Sequence, residues 1–392
     1  MKKYNDPQKA LRPSEGVEYE ALNETSLIGL DLAELEALVA QWGEPPYRAK
    51  QLMTWLYARG VSSFDEMTNL PKAFRQKLET SACIGSVSVL GRTNSMADTA
   101  TKYLFQLTDG DTVESVLMFE ENRTTACVSS QVGCAMACDF CATAKMGFFR
   151  NLTTAEILEQ LIALQRATAP AITGVAARWG ELGQATSITN VVFMGMGEPL
   201  ANYDHVLKAV RLMAHPNGLN MSEQHITVST SGLAPRMRQL AHEGLKCRLA
   251  LSLNGTTDAQ RTRLMPINAK YPIDEILDAA REWALATQQP ATLEYVLIRD
   301  VNDSVADAKR LRKLMGRLPC KLNLIPFNEI EGADFRRPEI SRIERFRQIV
   351  SEGNHVAPIR FSRGRDIAAA CGQLRTVYER RGAMMRADSR VE

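Results

Sequence analysis

The sequence predicts an α/β fold, an open partial barrel of parallel strands with a small helical unit at its N-terminal side. Three observations predict it. Short apolar runs alternate with amphipathic helical stretches over the last two thirds of the chain, and that alternation implies right-handed βαβ units on one parallel sheet. The units number about six, which suits a partial barrel better than a closed eightfold one. The segment before them carries apolar residues at helical rather than strand spacing.

Residues 1–25 hold few large apolar side chains and read as a loose tail. The helical unit is expected over 26–95. Leu32, Leu35, Leu38 and Val39 recur on one helix face, as do Leu52, Trp55 and Leu56, with Gly43, Pro45 and Pro46 breaking the two apart. The barrel region, 96–375, opens on a hairpin, 103–107 and 113–119 around a turn at Asp109 and Gly110. Strand candidates follow at 127–130, 188–194, 226–230, 248–253, 293–298, 322–327 and 356–361. Thr153 and Glu156 form a capping box that starts a helix carrying Ile157, Leu158, Leu161 and Ile162. The Ala/Gly-rich stretch 169–187 reads as an insertion loop, and 376–392 as a basic tail.

With 392 residues, 45% apolar and 23% charged, the chain has the composition of an ordinary globular protein of two or three domains. No apolar run approaches the roughly 20 residues that cross a bilayer, and the first sixteen residues lack a signal core. A cytoplasmic location without a membrane partner is expected. Eight cysteines in a reducing compartment then point to metal or catalysis rather than to structural disulfides. The net charge of +2 is unevenly spread. From Arg336 to Glu392 there are 13 arginines, no lysines and 7 acidic residues. That suits contact with phosphates and unpaired bases, and equally a solvated charged surface.

The most specific signal is Cys134, Cys138 and Cys141, a Cys-x3-Cys-x2-Cys run inside Gly133-Cys-Ala-Met-Ala-Cys-Asp-Phe-Cys141. Zinc usually takes four ligands, often as paired knuckles. No second knuckle follows here, and no histidine until His205. Three thiolates on one loop suit three irons of a 4Fe-4S cluster, with the fourth iron left for a ligand. A packing cluster or a zinc loop are the plainer alternatives.

With an aromatic just before its last cysteine, this run resembles the signature of the radical S-adenosylmethionine (SAM) superfamily. The resemblance implies a radical SAM partial (βα)6 barrel, with the cluster on Cys134, Cys138 and Cys141 and SAM on its open iron. Gly195-Met-Gly197-Glu198-Pro199 follows an apolar strand, and Leu200 stands where a dinucleotide fingerprint needs its third glycine. The resemblance instead assigns Gly197 and Glu198 to the amino group of SAM. It also carries Ser229, the segment Ser252, Leu253 and Asn254, and Asn328 over to SAM contacts. All lie at or near strand ends, where ligands bind in such sheets. Many family members carry histidine where this chain has Asn254.

Taken alone, Cys127 and Cys371 read as small buried hydrophobes. Their flanks, Thr124-Thr-Ala-Cys-Val-Ser-Ser-Gln131 and Ala368-Ala-Ala-Cys-Gly-Gln-Leu374, resemble the branch of the superfamily that methylates adenine in RNA. Glu114 falls where that branch has its general base. The resemblance spans about 27–374. It implies methylation of adenosine C2 in 23S rRNA, at the peptidyl transferase centre, and in tRNA, beside the anticodon. Carbon 2 of adenine is electron-poor and cannot attack a methyl sulfonium. The branch therefore uses Cys371 as a nucleophile that takes the methyl group from one SAM. A second SAM yields the radical that activates it, so two are used per turnover. Glu114 then removes the C2 proton, and Cys127 resolves the protein–RNA crosslink by thiol exchange. An electron donor such as flavodoxin and a thiol reductant are implied partners. The target base must be extruded or unpaired to be reached. The helical segment 27–79 resembles the branch's RNA-binding accessory domain, with Tyr47, Arg48, Lys50, Lys72, Arg75 and Lys77 as candidate contacts, although its net charge is −1. The rival readings are the relative that methylates adenine C8 and a noncatalytic iron–sulfur RNA-binding protein.

Overall fold

A computed structural model of the chain describes residues 25–168, 187–352 and 356–376. The expected tails and the 169–187 loop lie outside these residues, apart from their edge positions.

Two short strands, β1 (Thr25–Ser26) and β2 (Ala82–Cys83), pair in parallel and close off the helical unit between them. Its helices are Leu32–Gln41, Tyr47–Met53 (running on into a π-turn, Thr54–Ala58) and Lys72–Ser81. Asp31 caps the first through a full capping box. Of the residues picked out by helical spacing, Leu35, Val39, Leu52 and Leu56 are fully buried, while Leu32, Leu38 and Trp55 are half-buried against the same core. Gly29 explains how closely the unit docks on the barrel: its φ is +92°, and a Cβ there would lie 2.9 Å from the backbone nitrogen of Ala155.

A nine-stranded sheet follows, in the order β13-β12-β11-β10-β9-β6-β5-β4-β3. Strands β3 (Ser88–Asn94), β4 (Ala100–Gln106), β5 (Thr112–Glu120) and β6 (Arg123–Cys127) form an antiparallel meander. The hairpin expected at 103–119 is β4 and β5. Strand β3 was not anticipated, because it is a largely exposed edge strand without an apolar alternation. Strand β6 also pairs in parallel with β9 (Asn190–Phe193), and β10 (Ile226–Thr230), β11 (Arg248–Ser252), β12 (Ala291–Leu297) and β13 (Cys320–Pro326) continue the parallel set. Between β6 and β9 lie a small hairpin, β7 (Gln131–Gly133) with β8 (Phe148–Asn151), and the Thr153-capped helix Thr154–Ala167.

Six parallel strands match the expected count. Two strand candidates need correction. The run expected at 127–130 ends as a strand at Cys127, because Ser130 and Gln131 both donate their backbone N–H groups to the one carbonyl of Met196, in the loop beyond β9, rather than continuing a ladder. The run at 356–361 forms only an isolated bridge, Ile359 with Leu324, and its Val356 and Phe361 are exposed.

Candidate active site

A cavity opens at the carboxyl ends of the parallel strands, where ligands bind in such sheets. Its lining brings together Cys134, Cys138, Cys141, Gly197, Glu198, Ser229, Ser252, Asn254, Asn328 and Cys371. Residues far apart in sequence converge because each parallel strand ends at the same rim.

The cysteine loop hangs from the β7–β8 hairpin. Cys134 donates its N–H to Gly147 at 2.8 Å. Gly133 has φ +73°, and a Cβ there would lie 1.9 Å from the Gly147 carbonyl oxygen, so only glycine admits this turn. Burial pushes the Cys134 thiol up to about 12 and Cys138 well above its ordinary value. Such thiols become thiolates only when a cation joins them. Among the described residues no group of three His, Cys, Asp or Glu side chains is arranged around a single metal ion. Three thiolates on one loop match the ligand number of a cluster that leaves one iron open, in which each thiolate serves a separate iron, whereas a lone zinc usually takes four ligands.

Gly197 has φ +104°, and a Cβ would approach Gln131 to 2.6 Å, so backbone and hairpin meet without a side chain between them. Glu198 is buried and accepts from the N–H groups of Ser231 at 2.7 Å and Leu200 at 3.0 Å. Burial raises its carboxyl above the ordinary range, and those donors partly offset the rise. A buried anion with cavity access is a seat for an ammonium group. Asn254 explains the departure from histidine in part: its φ is +53°, a left-handed conformation that asparagine tolerates. Its side chain accepts from Val296 N–H and donates to the Met265 sulfur. Leu253 is buried and does not line the cavity.

Cys371 is exposed to solvent within the cavity, yet the surrounding walls and the nearby Glu294 push its thiol up to about 11. Hydrogen bonds to backbone groups fix its segment. Asn328 donates to the Cys371 carbonyl at 3.1 Å, Ala142 N–H to the Gly372 carbonyl at 2.7 Å, and Thr143 to the Leu374 carbonyl at 2.6 Å. The cysteine loop and the Cys371 segment are therefore one assembly. Cys127, the last residue of β6, is buried just behind the rim, where its thiol feels that of Cys371. Burial raises it far above its ordinary value. Glu114 on β5 also lies outside the cavity lining. Lys102 pairs with one of its oxygens at 2.9 Å, and the Arg375 N–H donates to the other at 3.0 Å. Burial still raises its carboxyl.

Sequence reasoning missed Glu294. It projects into the cavity from β12, in register with Ser252 on β11 and Asn323 on β13. Asn323 donates to it at 2.8 Å, and burial pushes its carboxyl up to about 7. A lone charge inside the apolar run Leu293–Ile298 was the signal available.

Among the described residues no helix is long and apolar enough to cross a membrane. Residues 25–84 match the model of the ribosomal RNA large subunit methyltransferase N-terminal domain, and 176–311 match that of the radical SAM superfamily. The second span begins beyond the cysteine loop. A dual-specificity RNA methyltransferase RlmN from Geobacter sulfurreducens is 48% identical, covering 88% of this chain and 91% of that protein. A probable dual-specificity RNA methyltransferase RlmN from Symbiobacterium thermophilum is 44% identical over 92% and 94%. The crystal structure of a radical SAM methyltransferase from Sphaerobacter thermophilus superposes with a TM-score of 0.83 at 43% identity, covering 90% of this chain and 99% of that one. With identity of this order over nearly the whole length, the chain belongs to the RlmN family of radical SAM RNA methyltransferases, enzymes that use a 4Fe-4S cluster and SAM.

Proposed function

We propose that this enzyme methylates carbon 2 of adenosine in 23S rRNA and in tRNA, and that the methyl group passes through Cys371. The observation that carries the reading is the placement of the Cys371 segment on the cysteine loop, with Cys127 behind it. Cys134, Cys138 and Cys141 would hold the cluster. Glu198 and Gly197 would receive the amino group of SAM, with Ser229, Ser252, Asn254 and Asn328 completing its seat, whereas Leu253, outside the cavity lining, would contribute only the backbone between two of them. Cluster and SAM together supply a one-electron cleavage that delivers a hydrogen-abstracting carbon radical.

The chain's own residues do the rest. Cys371 gives up its thiol proton and takes the methyl group of one SAM as a thioether, with S-adenosylhomocysteine as the leaving group. Cavity walls shield that thioether while a hydrogen atom leaves it and a carbon–carbon bond forms to adenine. Glu114 accepts the C2 proton. Lys102 and the Arg375 amide each occupy one acceptor site on its two oxygens, which leaves lone pairs to take the proton. The unpaired electron of the adduct then passes to a one-electron acceptor, for which the oxidised cluster would serve. Cys127 as a thiolate attacks the Cys371 sulfur, the carbon–sulfur bond breaks with its electron pair on carbon, that carbon takes up a proton as the methyl group, and a Cys127–Cys371 disulfide remains. Two SAM molecules are used per turnover. An electron donor such as flavodoxin and a thiol reductant would serve the cluster and the disulfide, consistent with a cytoplasmic enzyme. The helical unit closed off by β1 and β2 is proposed as the RNA-binding accessory domain; its expected bound of 95 is corrected, because Ser88–Asn94 is the edge strand of the main sheet.

Intact-protein mass spectrometry tests the route. Protein isolated from cells with SAM should carry a one-carbon increment on Cys371, absent in Cys371→Ala. RNA methylation by Cys371→Ala at the wild-type rate would overturn it.

A further inference from the structure

Arg261, on the helix Asp258–Leu264, is fully buried. Its Nε donates to the Leu253 carbonyl at 3.0 Å, and Nη2 to the carbonyls of Ser252 (3.2 Å) and Ser231. Nη1 donates to the Asn268 amide oxygen at 3.0 Å. Every one of these partners is neutral. A buried cation held only by neutral acceptors carries a desolvation cost that hydrogen bonds offset in part, and a nearby anion offsets further.

What those acceptors belong to gives the arrangement its meaning. Ser252 ends β11 and lines the proposed SAM seat, and Leu253 is the residue that follows it. Ser231 follows β10, and its N–H holds the Glu198 carboxylate while its carbonyl is held by Arg261. A continuous path therefore runs from Arg261 through Ser231 to Glu198. Two glycines make room for it. A Cβ at Gly232 would lie 3.1 Å from Nη2, and one at Gly255 would lie 2.8 Å from the Arg261 Cβ. The same helix also grips the cysteine loop. Its Leu264 carbonyl accepts from Asp139 N–H at 3.0 Å, and Leu264 and Met265 belong to a small apolar cluster that packs on Cys138 and Phe140.

We propose that Arg261 is a positioning residue for both cofactors: its fork sets the strand ends that receive SAM, and its charge stands behind the cysteine loop and eases reduction of the cluster. The helix that carries Arg261 packs through Leu264 and Met265 on Cys138, and both Cys138 and the carboxylate of Asp258 lie close enough to favour the charged guanidinium. Reduction adds one electron to a cluster held by three thiolates, and a permanent cation nearby favours the more negative state. The inference rests on the cofactor assignment above.

Two substitutions separate fork from charge. Arg261→Lys keeps the charge and loses the planar fork, whereas Arg261→Met loses both. Each holoenzyme would be studied by calorimetric titration with SAM and by redox titration followed by electron paramagnetic resonance, with thermal melting as the folding control. The expected result is SAM binding weakened about ten- to a hundredfold in both, as for lost supporting hydrogen bonds at a metal site. The potential should shift to more negative values in Arg261→Met and stay near wild type in Arg261→Lys. Folded variants with wild-type SAM affinity and potential would overturn the proposal. So would failure of both to fold, which would assign Arg261 to stability alone. Wild-type protein that takes up neither cluster nor SAM would instead refute the underlying cofactor reading.

Discussion

Cys371 is held from behind, through the carbonyls of its own segment, so its sulfur is left to the cavity. This geometry makes the two cysteines separable by experiment. Cys127→Ala removes little volume from the end of β6 and leaves Cys371 and the cysteine loop intact. It should stall after the crosslink forms and accumulate a slow-migrating protein–RNA species on a denaturing gel. Cys127→Ala combined with Cys371→Ala should give none. Normal turnover with no adduct would return Cys127 to the role of a packing residue. At this scale the sequence was informative where chemistry is concentrated: the cysteine run, Glu198 and Asn328 could be read from motifs. Glu294 could not, because a single carboxylate gains meaning only from strand register, which places it between Ser252 and Asn323.

The β7–β8 hairpin and the helix after it form the element that aims the cysteine loop. Arg150 on β8 forks onto Glu156 at 2.9 and 2.8 Å, and Glu156 closes the capping box with Thr153. Thr153→Ala should destabilise the protein by about 1 kcal/mol, measured by chemical denaturation, with iron loading nearly unchanged. Gly133→Ala is a different case. Left-handed strain alone costs about 1–3 kcal/mol, and the added Cβ collides with the Gly147 carbonyl. Iron analysis after reconstitution should show most of the cluster lost, whereas full loading would mean that the loop tolerates another path. The capping box was legible because its pattern is local. The small hairpin was not, since β7 has only three residues and its pairing spans the whole cysteine loop.

Across the whole molecule, the meander of β3 to β6 and the six parallel strands form one sheet, and the helical unit shares its apolar core. Alternation in the sequence was enough to read the parallel set, while the edge strand β3 and the failure of 356–361 to form a strand depended on tertiary pairing. Burial at the rim also sets a pH signature. The Glu294 carboxyl rises from an ordinary value of 4.5 to about 7, so the folded state binds its proton more tightly than the unfolded one. The resulting stabilisation is fully present below about 4.5 and is lost as pH rises through about 7, an effect on the order of 3 kcal/mol. Urea denaturation of the cluster-free protein should show that decline, and Glu294→Gln should flatten it. An unchanged slope would place the titration elsewhere. Nucleoside mass spectrometry of 23S rRNA and tRNA, after incubation with reconstituted enzyme, SAM and a reductant, identifies the product. The expected product is 2-methyladenosine in both RNAs, whereas 8-methyladenosine, or no methylated adenosine from a cluster-loaded enzyme, would overturn the proposed reaction.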